Sequence, residues 1–233
     1  MTFSIAARCP RTGMLGVATA SASLGSGAWA PSVKTATGAI ASQAFGNPFF
    51  GIDGLRLLDQ GLTAQEVIAA LLPNDPGREF RQLLIVDGGG RTAAFTGSKC
   101  LRWAGHTAGE GFVAGGNTLA GERVVLAMTD AFVQSGEEDL AERLVRAVEA
   151  GDAAGGDRRG RQSAGLLVCY DQDYRYYDLR VDDNPDPVKE LRRLYELRKA
   201  GLARLGDWRP TRDEPLEPGF FERYEREAAA VSQ

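Results

Sequence analysis

Thr2 is the residue of this 233-residue chain whose position gives it chemistry. Methionine aminopeptidase generally removes an initiator methionine that precedes a small residue. Removal of Met1 here would place a hydroxyl and a free α-amine on Thr2. A hydroxyl is a weak nucleophile at neutral pH and needs an adjacent base. The α-amine supplies one, with an ordinary pKa of about 7.7–8.0, close to working pH. A retained Met1 would convert that amine to an amide and abolish the base. Very many chains open Met-Thr and simply begin a strand there, so the chemistry depends on what surrounds residue 2.

Other catalytic groups are scarce. His106 is the single histidine. A classical zinc site needs several His or Cys ligands, and none of the usual spacings occurs, so no metal and no cofactor are expected. No G-x-S-x-G elbow accompanies His106, which argues against a Ser-His-Asp triad and reads better as a hydrogen-bonded core residue. Cys9, Cys100 and Cys169 are widely spaced and form no C-x-x-C pair; they read as free thiols in a reducing cytoplasm. Asp182 and Asp183 suggest paired carboxylates at a strand end, although helix capping before Pro185 explains them better. Gly109, Gly111 and Gly115 have the wrong spacing for a dinucleotide loop.

A formal net charge of −4 argues against a nucleic-acid partner, which needs clustered Lys and Arg. No run of about 18 or more apolar residues is present, so no membrane span is expected. The N-terminus lacks the basic and apolar regions of a secretory signal, and the expected location is the cytoplasm.

The elements that must position Thr2 follow from turn signals and periodicity. Phe3 to Arg8 and Leu15 to Ser21 read as a hairpin across Pro10-Arg11-Thr12-Gly13. Gly25, Gly27 and Pro31 mark a loop. Val33 to Phe45 reads as two strands divided near Thr37-Gly38. A helical period begins after Gly46-Asn47-Pro48 and breaks at Gly61, and Thr63-Ala64-Gln65-Glu66 is a capping box for the next helix. Asp87-Gly88 between apolar runs predicts a hairpin over Arg81 to Thr96. Short strands are expected around Cys100 to Trp103 and Gly111 to Ala114, then helices through Val124–Phe132 and Leu140–Val148. A polar glycine-rich loop over 155–163 precedes strands at Ala164 to Tyr170 and Arg175 to Val181. The order strands, helix pair, strands, helix pair, strands predicts an α+β fold, a four-layer αββα sandwich of antiparallel sheets. Residues 1–187 are expected to form this domain. Residues 188–233 read as a C-terminal helical extension, suited to packing or to a homodimer or small homo-oligomer, with a short amphipathic helix near Phe220 to Ala230.

An N-terminal threonine opening a strand hairpin in this order resembles the N-terminal-nucleophile (Ntn) hydrolases, including proteasome β subunits. The chain is closer still to an uncharacterised Ntn-hydrolase-like family, domain of unknown function 1028. Thr2-Phe3-Ser4-Ile5, Gly38 to Ala44, Asn47-Pro48, Pro76-Gly77-Arg78-Glu79, Ala94 to Gly97, Trp103 to His106, Gly116-Asn117, Gly155-Gly156-Asp157, Gly160 to Ser163 and Asp178 to Asp183 carry that resemblance. It covers roughly residues 2–195.

The resemblance implies a cofactor-independent amidohydrolase that cleaves C–N bonds of a small-molecule or peptide amide through Thr2. Lys34 stands at the separation from Thr2 that divides nucleophile from catalytic lysine in proteasome subunits, where a cation would favour the neutral amine. Asp157 falls where those enzymes place an orienting aspartate. Gly46 and Asn47 fall at the loop-to-helix junction that supplies an oxyanion donor, and Asn117, Arg161 and His106 join them as substrate-binding candidates. Arginines beside Asp157 would suit an anionic substrate. Ser21 and Ser23 stand where the proteasome has an early acidic partner. The alternatives are a catalytically silent Ntn-fold binding or assembly module and, less well matched, a ring subunit.

Overall fold

The computed structural model describes residues 2–204 and 209–231. Compact packing divides the chain into Met1–Tyr195 and Glu196–Gln233.

In the first unit the expected opening hairpin forms, with β1 (Thr2–Arg8) antiparallel to β2 (Leu15–Ser21) and Thr2 opposite Ser21. A short helix, α1 (Ser26–Trp29), occupies what reads as plain loop. It is held by Ser26 N–H donating to Ser163 Oγ at 3.0 Å. Gly27 lets it lie against the sheet, because a Cβ there would come within 3.0 Å of the Gly165 backbone. β3 (Pro31–Lys34) and β4 (Gly38–Ala44) divide where expected, and β5 (Arg81–Asp87) and β6 (Thr92–Thr96) form the predicted hairpin.

The segment Cys100–Trp103 is not a strand. Its carbonyls at Leu101 and Trp103 accept from Thr118 and Leu119 N–H, and Cys100 N–H closes a turn on Gly97. The sheet edge is taken instead by β7 (Gly105–Gly109), paired to β8 (Phe112–Gly116). β9 (Ser163–Cys169) and β10 (Arg175–Val181) complete a six-stranded antiparallel sheet in the order β10-β9-β2-β1-β8-β7. The second sheet is four-stranded, β3-β4-β5-β6.

Period-two alternation fixes which faces meet. On β5, Leu84 and Val86 pack with Ala6, Leu15, Val17 and Val113 of the larger sheet, so this face lies between the sheets. Leu83 and Ile85 point the other way, against Phe50, Leu58, Val67 and Ile68. Those residues belong to α2 (Pro48–Asp59) and α3 (Ala64–Leu71), the latter opened by the predicted Thr63–Glu66 capping box. Against the larger sheet pack α4 (Arg123–Gln134) and α5 (Leu140–Ala153), whose Val124, Met128, Leu144 and Val148 are fully buried. α6 (Pro187–Arg204) begins in this unit, with Leu191 and Tyr195 buried. The second unit carries α7 (Phe220–Val231), in which Phe220 stacks on Tyr224. Among the described residues there are seven helices, none long and apolar enough to cross a membrane.

Glu142 ties α5 to α6. Its carboxylate accepts from Arg192 at 2.8 Å and from Arg146 at 2.6 Å. Burial pushes this carboxyl up, but the two arginines outweigh it and bring its pKa from the ordinary 4.5 down to about 2. A depressed carboxyl stabilises the fold fully above its unfolded pKa, and that contribution fades as pH falls toward the folded value. Acid titration of the Tm is therefore expected to show a loss between about pH 4.5 and pH 2. Glu142→Gln should flatten that loss while lowering the Tm at neutral pH.

Candidate active site at the start of the first strand

The space between the sheets changes character along its length. At one end it is aliphatic; at the other, the same alternation brings side chains of opposite polarity inward. β4 presents Ala39 and Ala41 and then Gln43, while β5 presents Val86 and Leu84 and then Gln82, its register partner. β1 brings Ala6, then Ser4, then Thr2, and β2 brings Leu15 and Val17, then Thr19 and Ser21. Thr2, Ser4, Thr19, Gln43 and Gln82 are completely buried, and Asn117 is 1% exposed.

Buried polar groups must be hydrogen-bonded to one another. Ser4 Oγ donates to Gln43 Oε1 at 2.6 Å and lies 2.8 Å from Thr19 Oγ1. Gln43 Nε2 donates to Gln82 Oε1 at 2.8 Å and reaches the Gly115 and Thr2 carbonyls at 3.3 and 3.4 Å. Gln82 Oε1 also accepts from Asn117 Nδ2 at 3.1 Å. Gln82 Nε2 spreads its two hydrogens over the Gly116 carbonyl, the Gly105 carbonyl and Thr96 Oγ1, at 2.9, 3.0 and 2.9 Å. On Thr2, the hydroxyl donates to Ser21 Oγ at 3.2 Å. Its carbonyl faces Asn117 N at 3.1 Å and Asn117 Nδ2 at 3.4 Å, in addition to Gln43. Residue 2 is thus held by its hydroxyl and by three N–H donors at its carbonyl.

Of the residues expected at the site, Asp157 reaches this end of the sheets. It is 6% exposed and accepts from Ala22 N–H, next to Ser21, at 3.1 Å. The arginine that meets it is Arg159, at 2.7 Å, whereas Arg161 turns to Asp152 at 2.7 Å. His106 lies exposed on the edge strand β7, with Nδ1 2.9 Å from Thr96 Oγ1, and partial desolvation pushes its pKa down.

Gly46 and Asn47 follow β4. Asn47 caps α2 by accepting from Phe49 N–H at 3.0 Å and donates to Asp75 at 3.2 Å. Asp75 in turn pairs with Arg81, whose hydrogen bond holds that carboxyl below its ordinary range. Gly46 and Asn47 line a cavity of about 440 Å³ with Trp29, Phe45, Pro48 and Arg81. Thr2 does not line it; Ser42 and Ala44, which do, flank Gln43 on β4.

Lys34 is the correction. It lies opposite Gly38, at the other end of β4 from Gln43, and its ammonium pairs with Asp59 at 2.7 Å. Residue 30 already meets the strand end that faces the site, since its carbonyl accepts from Ser42 N–H. By Lys34 the strand has run away from Thr2, so matching separation in sequence does not yield proximity. Among the described residues, no three His, Cys, Asp or Glu side chains group as metal ligands.

Gln43 and Gln82 carry the network and were not singled out from sequence. The readable signal is a glutamine at an inward position of an otherwise apolar strand.

Two antiparallel sheets with helices packed on them, and a buried polar cluster round Thr2, describe an α+β protein. The chain belongs to the family of unknown function DUF1028, whose profile matches residues 2–191. It is similar to the solved structure of protein SPO2555 from Silicibacter pomeroyi, also of DUF1028. That match has a TM-score of 0.83 and 34% identity over 92% of this chain and 97% of that one. A distant likeness is to Anbu (ancestral beta-subunit) from Yersinia bercovieri, at TM-score 0.40 and 11% identity over 90% and 100% of the two chains. No curated protein matches.

Gln82→Leu removes the acceptor shared by Gln43 and Asn117 and leaves one buried Asn117 N–H without a partner, and an orphaned buried group costs about 1–3 kcal/mol. Urea unfolding is expected to show a loss of that order, and Thr96→Val a smaller one.

Proposed function

We propose that the chain is an Ntn-type amidohydrolase, built as a four-layer αββα sandwich, that cleaves the C–N bond of a small-molecule or peptide amide. The observation that carries this reading is the over-determined placement of residue 2. Three N–H donors converge on its carbonyl while its hydroxyl engages Ser21. Such fixing is what pre-organised chemistry requires and what a strand's first residue otherwise does not need. The placement of α2 and α3 on one sheet and α4 and α5 on the other supports the layer order.

With Met1 removed, Thr2 Oγ1 bonds to the substrate carbonyl carbon as its proton passes to the α-amine. The amine hands that proton to the leaving nitrogen as the C–N bond breaks. Water then cleaves the resulting ester and restores the hydroxyl. The base is the amine alone, without Lys34. Asp157, fixed by Arg159 and by Ala22 N–H, orients the β2 end that carries Ser21. Thr2 is fully buried in the chain that begins at Met1, so this chemistry requires that excision expose the hydroxyl.

That burial, together with the engagement of Lys34 by Asp59, favours a second reading, a silent Ntn-fold binding module. Intact mass after exposure of the Met1-free protein to a β-lactone separates the two. One adduct mapping to Thr2, lost in Thr2→Ala and kept in Lys34→Ala, is the expected result. A folded, Met1-free protein that takes no adduct would leave the binding module.

A further inference from the structure

One acceptor in the cluster has no donor. Asn117 Oδ1 is buried without a hydrogen-bond partner, although the rest of that residue is engaged. Its Nδ2 donates to Gln82 Oε1 at 3.1 Å and to the Thr2 carbonyl at 3.4 Å. Turning the amide over would set Oδ1 against those two acceptors, so the orientation is fixed by its neighbours. Buried acceptors left open in a native fold are rare and point to a missing partner.

The register shows which residue stands opposite Asn117. Phe3 stands opposite Gly116 on β8, and Asn117 N–H bonds the Thr2 carbonyl, so Asn117 is the cross-strand neighbour of residue 2. While Met1 is attached, the nitrogen of residue 2 is a peptide N–H with one hydrogen. Excision turns it into an amine with two, or an ammonium with three. New donors then arise on the residue whose carbonyl Asn117 already bonds.

We propose that Asn117 Oδ1 is the docking acceptor for the α-amine of Thr2 after Met1 is removed, which makes Gln43, Gln82 and Asn117 a receptor for the processed N-terminus. This rests on the hydrolase reading and gives it a missing part. One amine N–H is spent on Asn117, and the lone pair of the neutral amine stays available for the hydroxyl proton. An acceptor facing the amine also favours its charged form and holds its pKa up.

The test uses full-length protein released from an N-terminal fusion so that it begins at Thr2, with ¹⁵N at that residue, and follows the amine nitrogen by NMR across pH. Asn117→Ala is expected to lower the titration midpoint by about one pH unit, and Asn117→Asp, which adds a charge, to raise it by about as much. Midpoints unmoved in both variants, with β1 and β8 resonances intact, would overturn the proposal. Should Asn117→Ala fail to fold, Asn117→Asp decides alone, an unmoved midpoint again being the contrary result. Exposing the same samples to the β-lactone keeps the two ideas apart. A shifted midpoint without a Thr2 adduct retains the receptor and removes the hydrolase.

Discussion

Carboxamides buried between two sheets have to satisfy one another, and the polar end of this fold is organised by that requirement. Gln43 and Gln82 are opposite each other in register, and each has further demands that only neighbouring strands can meet. Gln82 reaches across to the β7 and β8 carbonyls, Gln43 to β8 and β1, and Asn117 back to Gln82 and to the Thr2 carbonyl. The sheets are therefore locked together at this end by directional bonds, where the other end relies on aliphatic contact. Directional bonds specify position more sharply than apolar packing does. Gln82 takes part in five of them, and three converge on the Thr2 carbonyl.

Charge around this end is neutralised locally. Arg159 is matched by Asp157, Arg161 by Asp152, Arg81 by Asp75 and, farther off, Lys34 by Asp59. Arg159 and Arg161, two of the arginines beside Asp157, are thus engaged by carboxylates of the same chain. The cavity beside Gly46 and Asn47 is walled by Trp29, Phe45 and Pro48 as well as Arg81.

Much of the fold is legible in the sequence because local rules agree with it. The first hairpin, the Thr63 capping box and the Asp87 turn are written in residues that favour those conformations whatever surrounds them. The segment Cys100–Trp103 misleads because it is apolar enough for a strand, yet its carbonyls are taken by residues 118 and 119. Thr2 draws attention in the sequence through its place next to Met1, and the structure brings Asp157 and Asn117 to the same end of the sheets. Lys34 misled because a count along the chain ignores where β3 begins against β4. Gln43 and Gln82 stayed hidden because their importance comes from inter-sheet register, which no local pattern encodes.

If the cluster is built around residue 2 as a chain terminus, excision of Met1 should complete it. The direct measurement is urea unfolding, side by side at mildly alkaline pH, of protein beginning at Met1 and protein beginning at Thr2. A higher midpoint for the chain beginning at Thr2 is predicted, because a buried acceptor gains its donor. Equal midpoints, or a lower one for that chain, would contradict the view that these carboxamides serve the N-terminus.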